Sequence, residues 1–277
     1  MALVSIRNRV AGIHSKQPWF VLSAADHYDL IESDTPAISH FYSFKANPLN
    51  GMTFAVPDGC VDIVFDCDDA GPSAKVCGTT LEARSAELKQ DHLYFGVRFS
   101  LGMVPDFLDV SAEGLVDHEL SFLDAVKGSK TVFDQVVSER EFAGRVTVLR
   151  NFLRDKNVRR VSRLSLEVVQ AICEAKGDIR VHQLRELTGF CTRTLQRQFH
   201  RDLGMSPKAF SRIIRCQSAI YDINHRDSVA FSDLACDLGF SDQSHFLREF
   251  KRFVSATPLE YQQQVRQKTY LERIRYC

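Results

Sequence analysis

Long apolar runs are missing from this 277-residue chain. No stretch approaches the roughly 18 consecutive apolar residues that a bilayer-spanning helix needs. The opening segment MALVSIRNRVAGIHSKQPWF also lacks the apolar centre of a signal peptide. The two absences point to a soluble cytoplasmic chain with no membrane partner. The eight cysteines fall at positions 60, 67, 77, 173, 191, 216, 236 and 277, with no CxxC and no paired framework. Neither a zinc ribbon nor a disulfide scaffold is expected, and the thiols read as reduced. Among nine histidines there is no HxH and no HExxH, and His40, His92 and His118 have no neighbours at ligand spacing. No metal is expected. No serine, cysteine or carboxylate constellation suggests catalysis, so the chain reads as a non-enzyme without a cofactor.

Net charge is absent too, but only as a sum. Residues 1–139 carry 10 Lys and Arg against 20 Asp and Glu; residues 140–277 carry 25 against 15. A basic half joined to an acidic half suits a nucleic-acid-binding domain and a second domain that stays off the phosphates. The length allows two domains, each with its own core.

What the basic half does contain is a repeat. Residues 234–258 read LACDLGFSDQSHFLREFKRFVSATP, and residues 184–207 read LRELTGFCTRTLQRQFHRDLGMSP. Gly189-Phe190 answers Gly239-Phe240 at an offset of 50, and Phe199 answers Phe250 at 51, so the second copy has one extra residue in its turn. Phe246, Phe250 and Phe253 fall on one buried helical stripe, and so do Leu195, Phe199 and Leu203. Glycine fits the sharp bend between two helices. Each copy ends in a hydroxyl residue followed by proline, which opens a further helix, and Thr257 with Glu260 forms a capping box. Between the copies, residues 206–223 (SPKAFSRIIRCQSAIYDI) predict one helix of ~16 residues, about 24 Å long. It could hold two helix-turn-helix units roughly one DNA turn apart.

The paired GF turns, the spacer pattern FxxxxRxxxAxxxI (Phe210, Arg215, Ala219, Ile223) and the run GFSDQSHFLREFKRF resemble the DNA-binding domain of the AraC/XylS family of bacterial transcription regulators. The likeness spans about the last 100 residues. One departure is Ser255, where that family usually has glycine, as this chain does at Gly204. The resemblance implies sequence-specific binding to double-stranded DNA, contact with RNA polymerase, activation of transcription and control by an effector.

The acidic half reads as strands. Residues 92–101 (HLYFGVRFSL) alternate, with Leu93, Phe95, Val97, Phe99 and Leu101 on one face and Tyr94, Gly96 and Arg98 on the other. Residues 60–67 (CVDIVFDC) place Val61, Ile63, Phe65 and Cys67 together, after a Pro57-Asp58-Gly59 turn signal. An antiparallel sandwich or small barrel is expected. VPDGCVDIVF, Gly78 and GVRFSLG resemble the cupin-like sensor domain that precedes the DNA-binding domain in some AraC/XylS regulators, with Leu101 where the family tends to have proline. Residues 131–155 and 166–175 predict helices, the second stopping at Gly177, with Asp178 placed to open the first repeat. The resulting division is α+β: a β-rich cupin-like domain over 1–125, a helical connector over 126–176 and an all-α tandem helix-turn-helix domain over 177–277. The resemblance implies that such a connector serves a homodimer; burial against the chain's own sensor domain is the alternative.

Outward positions on the second helix of each unit are the candidate DNA contacts. Arginine can donate twice to guanine and glutamine can pair with adenine. By position in the family motif, Arg193, Gln196 and Arg197 match base readers in the first unit, and Gln243, Ser244, His245 and Arg248 match them in the second. His245 could instead only pack against Phe240. Thr192, Lys208, Ser241, Lys251 and Arg252 are placed for phosphates, which position without specifying. In the sensor half, Asp62, Tyr94 and Arg98 are the polar candidates for a small-molecule effector pocket. Arg98 suits either an anionic effector or a structural ion pair. Three rival readings remain: a cupin-type metal enzyme fused to a DNA-targeting module, a nucleoid protein with little sequence preference, and a redox sensor using Cys60, Cys67 or Cys77. On a regular strand Cys60 and Cys67 face opposite sides, which counts against the last.

Overall fold

The computed structural model describes residues 20, 24–47, 53–156, 158–159, 161–226, 228–267 and 270–277. The segment read for a signal peptide therefore lies almost wholly outside the described residues. The first half folds as strands β1 (Tyr28–Glu32), β2 (Ile38–Lys45), β3 (Thr53–Ala55), β4 (Asp62–Asp66), β5 (Ser73–Cys77), β6 (Arg84–Ala86) and β7 (Leu93–Phe99). Then follow helix α1 (Ala112–Leu115), strand β8 (Glu119–Ser121) and helix α2 (Phe122–Ala125). The last strand, β9 (Ile274–Tyr276), comes from the far end of the chain. The main sheet runs β8-β5-β4-β7-β2-β1-β9, and β3 pairs with β6 in a separate ribbon. All pairs are antiparallel except β1 with β9.

Side-chain alternation divides the sheet as the sequence predicts. Val61, Ile63, Phe65 and Cys67 join Phe95, Val97 and Phe99 in one core. Leu93, half-buried, is not part of that core, and Leu101 departs from it altogether. The chain leaves the strand after Phe99, and Leu101 packs with the other apolar cluster, on the side of the helical half.

Helices α3 (Lys130–Ser138) and α4 (Phe142–Leu153) cover that first core with Val132, Val136, Val146, Leu149 and Leu153. The helical stretch expected over 131–155 is thus broken. Glu139 accepts backbone N–H bonds from Arg140 at 2.8 Å and Glu141 at 3.0 Å, an arrangement that ends one helix and starts the next. Helix α5 (Arg163–Glu174) packs instead with the helical half, through Val168, Val169 and Ile172. Its N-cap, Ser162, is tied by its N–H and hydroxyl to the Asp202 carboxylate.

The repeat appears as two helix pairs. Helix α6 (Val181–Thr188) ends on Gly189 at φ 71° and leads into α7 (Thr192–Leu203). After the long α8 (Pro207–His225), α9 (Phe231–Asp237) is followed by Gly239 at φ 69° and α10 (Gln243–Val254). The N-caps of α7 and α10 are Cys191 and Asp242, so the extra residue of the second turn is accommodated just before the helix. At 19 residues α8 is about 28 Å long. Helix α11 (Pro258–Gln267) begins with the expected capping box: Glu260 N–H donates to Thr257 Oγ1 at 3.2 Å, and Thr257 N–H to Glu260 Oε2 at 2.7 Å. A short α12 (Tyr270–Arg273) then feeds β9.

The halves are docked. Gln217 of α8, itself buried, donates to the Pro57 carbonyl at 2.7 Å. Ala83 N–H donates to the Arg252 carbonyl at 3.1 Å, and the Arg252 side chain pairs with Glu82. Parallel pairing of β9 with Tyr28–Leu30 adds a third tie.

Candidate nucleic-acid interface and N-terminal cavity

Each second helix of the repeat is pinned on one side and bare on the other. Leu195, Phe199 and Leu203 of α7 are buried, and so are Phe246, Phe250, Phe253 and Val254 of α10. Facing outward are Arg193, Gln196 and Arg197 on α7 and Gln243, Ser244 and Arg248 on α10, all exposed. The exposed charges are of one sign, namely Arg193, Arg197 and Arg201 on the first helix and Arg248, Lys251 and Arg252 on the second. Both helices thus combine positive charge with amide or hydroxyl groups on a rigid face, the chemistry that reads base edges and grips phosphates.

Three of the expected contacts are already engaged. His245 is half-buried, with its ring edge-on to Phe240 at 5.4 Å and its Nδ1 3.1 Å from Ser241 Oγ. Ser241 also donates to Asp242 at 3.0 Å. Arg252 is held by Glu82 from the N-terminal half, so it could reach a phosphate only if that pair opens. Thr192 is half-buried at the start of α7, and Lys208 and Lys251 are exposed. Asp178 does not cap α6, whose N-cap is Arg180; it pairs instead with Arg215 of α8 at 3.4 Å.

The second face of the sheet lines a cavity of about 210 Å³, and it brings Asp62, Tyr94 and Arg98 together. Cross-strand register explains this: Asp62 of β4 lies opposite Arg98 of β7, and Asp66 opposite Tyr94. Arg98 Nε and Nη2 donate to the two Asp62 oxygens at 2.9 and 2.7 Å, and Nη1 donates to Asp58 at 2.6 Å. Of the two uses open to Arg98, the ion pair is therefore the one observed. A carboxylate ligand would meet a guanidinium already bonded to two carboxylates. Burial raises the Asp62 pKa, opposed by Arg98. Burial alone would lower that of Arg98, but Asp58 and Asp62 outweigh it and push it well up. A buried fork bonded twice over is expensive to break from one side.

Rings complete the wall. Tyr28, Tyr42 and Phe44 stack along the sheet, and Tyr94 stacks on Phe44 at 5.4 Å. The Tyr42 hydroxyl lies 3.3 Å from Asp62 Oδ1. Sequence reasoning missed Asp58, which the turn signal disguised, and the aromatic stack, whose rings are gathered only by the pairing of β2 with both β1 and β7. Cys60 and Cys77 also line this cavity, whereas Cys67 sits in the opposite core. Burial pushes the thiol pKa of all three up, that of Cys67 to about 11. Among the described residues, no group of three His, Cys, Asp or Glu side chains converges as metal ligands would, and no helix is long and apolar enough to cross a membrane.

Two paired units of this geometry on one long helix define a tandem helix-turn-helix protein behind a β-rich domain. The C-terminal part of the chain is a helix-turn-helix domain of the AraC type: residues 185–264 match the family described as Helix-turn-helix domain. Residues 35–121 match a second family, Domain of unknown function (DUF6597). An uncharacterized HTH-type transcriptional regulator of Haemophilus influenzae is 26% identical over 103 residues, covering 37% of this chain and 34% of that protein. Another, from Staphylococcus aureus, is 31% identical over 84 residues, covering 30% of this chain and 11% of its own length. The chain thus spans about a third and about a tenth of these relatives. Among solved structures, ToxT from Vibrio cholerae is 14% identical at a TM-score of 0.39, covering 86% of this chain and 96% of its own. The C-terminal domain of AraT, a response regulator from Geobacillus stearothermophilus, is 20% identical at a TM-score of 0.36, covering 38% and 88%.

Proposed function

We propose that this chain is a cytoplasmic, sequence-specific regulator of transcription, whose two recognition helices enter successive major grooves on one side of a DNA duplex. The observation that carries the reading is the pair of exposed, positively charged faces on α7 and α10, each backed by a buried apolar stripe. Arg193, Gln196 and Arg197 read bases in one groove, and Gln243, Ser244 and Arg248 read them in the next. His245 contributes from the edge of its packing against Phe240. Thr192, Lys208, Ser241 and Lys251 position the backbone, joined by Arg252 once Glu82 lets go. Residues 177–277 bind DNA, residues 126–176 link, and residues 1–125 sense a small effector in the cavity lined by Asp62, Tyr94 and Arg98. Activation through RNA polymerase and a homodimeric state complete the proposal.

The test begins with selection of bound sites from a random-sequence DNA pool. On the selected site, Arg193→Ala should cost about 1–3 kcal/mol and relax one base position. Lys251→Ala should weaken all sequences alike and lower the salt slope by about one. Equal losses on selected and random DNA for Arg193→Ala would remove it from the readers.

A further inference from the structure

The two helix-turn-helix units do not meet across a packed face. An open cleft of about 500 Å³ separates the start of α6 from α10, floored by the first half of α8 and lined by Leu184, Cys216, Phe246 and Phe250 among others. Each unit packs its own apolar stripe against α8, and across the cleft the two are joined by contacts at its rim.

At one of these contacts both units meet the same side chain. Arg215, midway along α8, donates from Nη2 to the Gly177 carbonyl at 2.9 Å, at the entry to the first unit. From Nη1 it donates to the Gly239 carbonyl at 3.3 Å, in the turn of the second unit. The guanidinium carbon lies 5.1 Å from the centre of the Phe240 ring, and Nη2 lies 3.4 Å from Asp178. Asp178 in turn covers Gly239 so closely that a Cβ there would come within 2.1 Å of its carboxyl carbon. Gly177 is pressed onto α8, where a Cβ would lie 2.3 Å from the Ser211 carbonyl oxygen. Both glycines also have positive φ, at 83° and 69°. Elsewhere the second unit is fixed to α8 by Arg212, which grips Glu249 at 2.7 and 2.9 Å.

Arg215 is not fully satisfied where it sits. Its Nε is buried without a hydrogen-bond partner, a cost tolerated while the terminal nitrogens make their bonds. A guanidinium projects its donors in fixed directions from a plane, so it can brace two carbonyls at a set angle. An ammonium on a flexible stem cannot.

We propose that Arg215 is a positioning residue that sets the distance and angle between the two recognition helices, and through them the half-site spacing the chain accepts. It does so without touching DNA. The inference rests on the tandem DNA reading above. One base pair of altered spacing shifts a half-site by about 3.4 Å and turns it by roughly 34°, so a stiff node converts spacing into affinity.

The experiment uses the full chain and duplexes carrying the selected site, with the segment between half-sites lengthened or shortened by one and two base pairs. For the wild type, each base pair of displacement should cost about tenfold in affinity. Arg215→Met and Arg215→Lys should hold affinity for an isolated half-site within about twofold, while cutting the spacing penalty to about threefold or less. Thermal unfolding reports whether the variants fold. Should they not fold, Asp178→Ala decides, since it removes the carboxylate over Gly239 and leaves Arg215, and it should flatten the spacing curve part of the way. An unchanged spacing penalty in the variants overturns the inference but leaves the tandem reading standing. Equal losses on half-sites and full sites also overturn it, because that is what a merely structural arginine gives. A wild type indifferent to spacing sinks the tandem reading itself.

Discussion

Ser255 caps α10 in the left-handed region, at φ 59°, where Gly204 caps α7 at φ 75°. A side chain in that conformation costs of order 1 kcal/mol, so Ser255→Gly should raise stability by about that amount. Thermal unfolding checks it; a loss of stability would mean that the Ser255 side chain contributes a bond worth more than the strain. This departure was legible from the repeat, because two copies of one unit expose the position where they differ. Arg98 was not fully legible. Its alternation on β7 placed it on the right face, but its partner Asp58 lies 40 residues earlier in the turn before β4, and the two meet only because register sets Arg98 opposite Asp62 on that strand. Arg252 and Arg215 were hidden for the same reason: helical spacing shows which side of a helix a residue is on, not which distant loop waits there.

At the scale of the element, α10 is held to α8 by one charge pair of consequence. Burial works to raise the pKa of Glu249, but the hydrogen bonds from Arg212 hold it below the usual carboxylate value. A depressed folded pKa stabilises the fold above the unfolded value, and that stability disappears as pH falls through the folded value. Glu249→Gln should therefore cost about 1 kcal/mol near neutral pH, a modest figure because the pair is partly solvated. The gap from wild type should close as pH drops below roughly 4.3. Unfolding curves between pH 7 and 3 would show it, and a gap independent of pH would assign the loss to packing. The helices themselves were the most readable part of the chain, since caps, glycines and apolar stripes are local. The break at Glu139 was less so, because it depends on a carboxylate folding back onto two backbone N–H groups. Strand β9 had no local signal: three residues become a strand because β1 offers an edge to pair with.

At the scale of the whole molecule, the N-terminal half leans on the second helix-turn-helix unit. Glu82 pairs with Arg252 and Ala83 bonds to its carbonyl, so a side chain suited to a phosphate is engaged by a carboxylate of the same chain. Glu82→Gln removes the charge and leaves the shape. Its affinity for the selected site should rise severalfold, by up to about 1 kcal/mol, more at low salt than at high. Unchanged affinity in a salt titration would show that Arg252 takes no part in binding. The charge asymmetry between the halves was plain in the sequence; their docking was not, because it needs Gln217 of α8 to meet the Pro57 carbonyl from a stretch 160 residues away.

The most direct test is a hydroxyl-radical footprint of the full-length chain on its selected duplex. Two protected patches should lie about one helical turn apart on the same side of the DNA, the first fading with Arg193→Ala and the second with Arg248→Ala. A single patch, or two that fade together whichever arginine is removed, would contradict two separate reading heads.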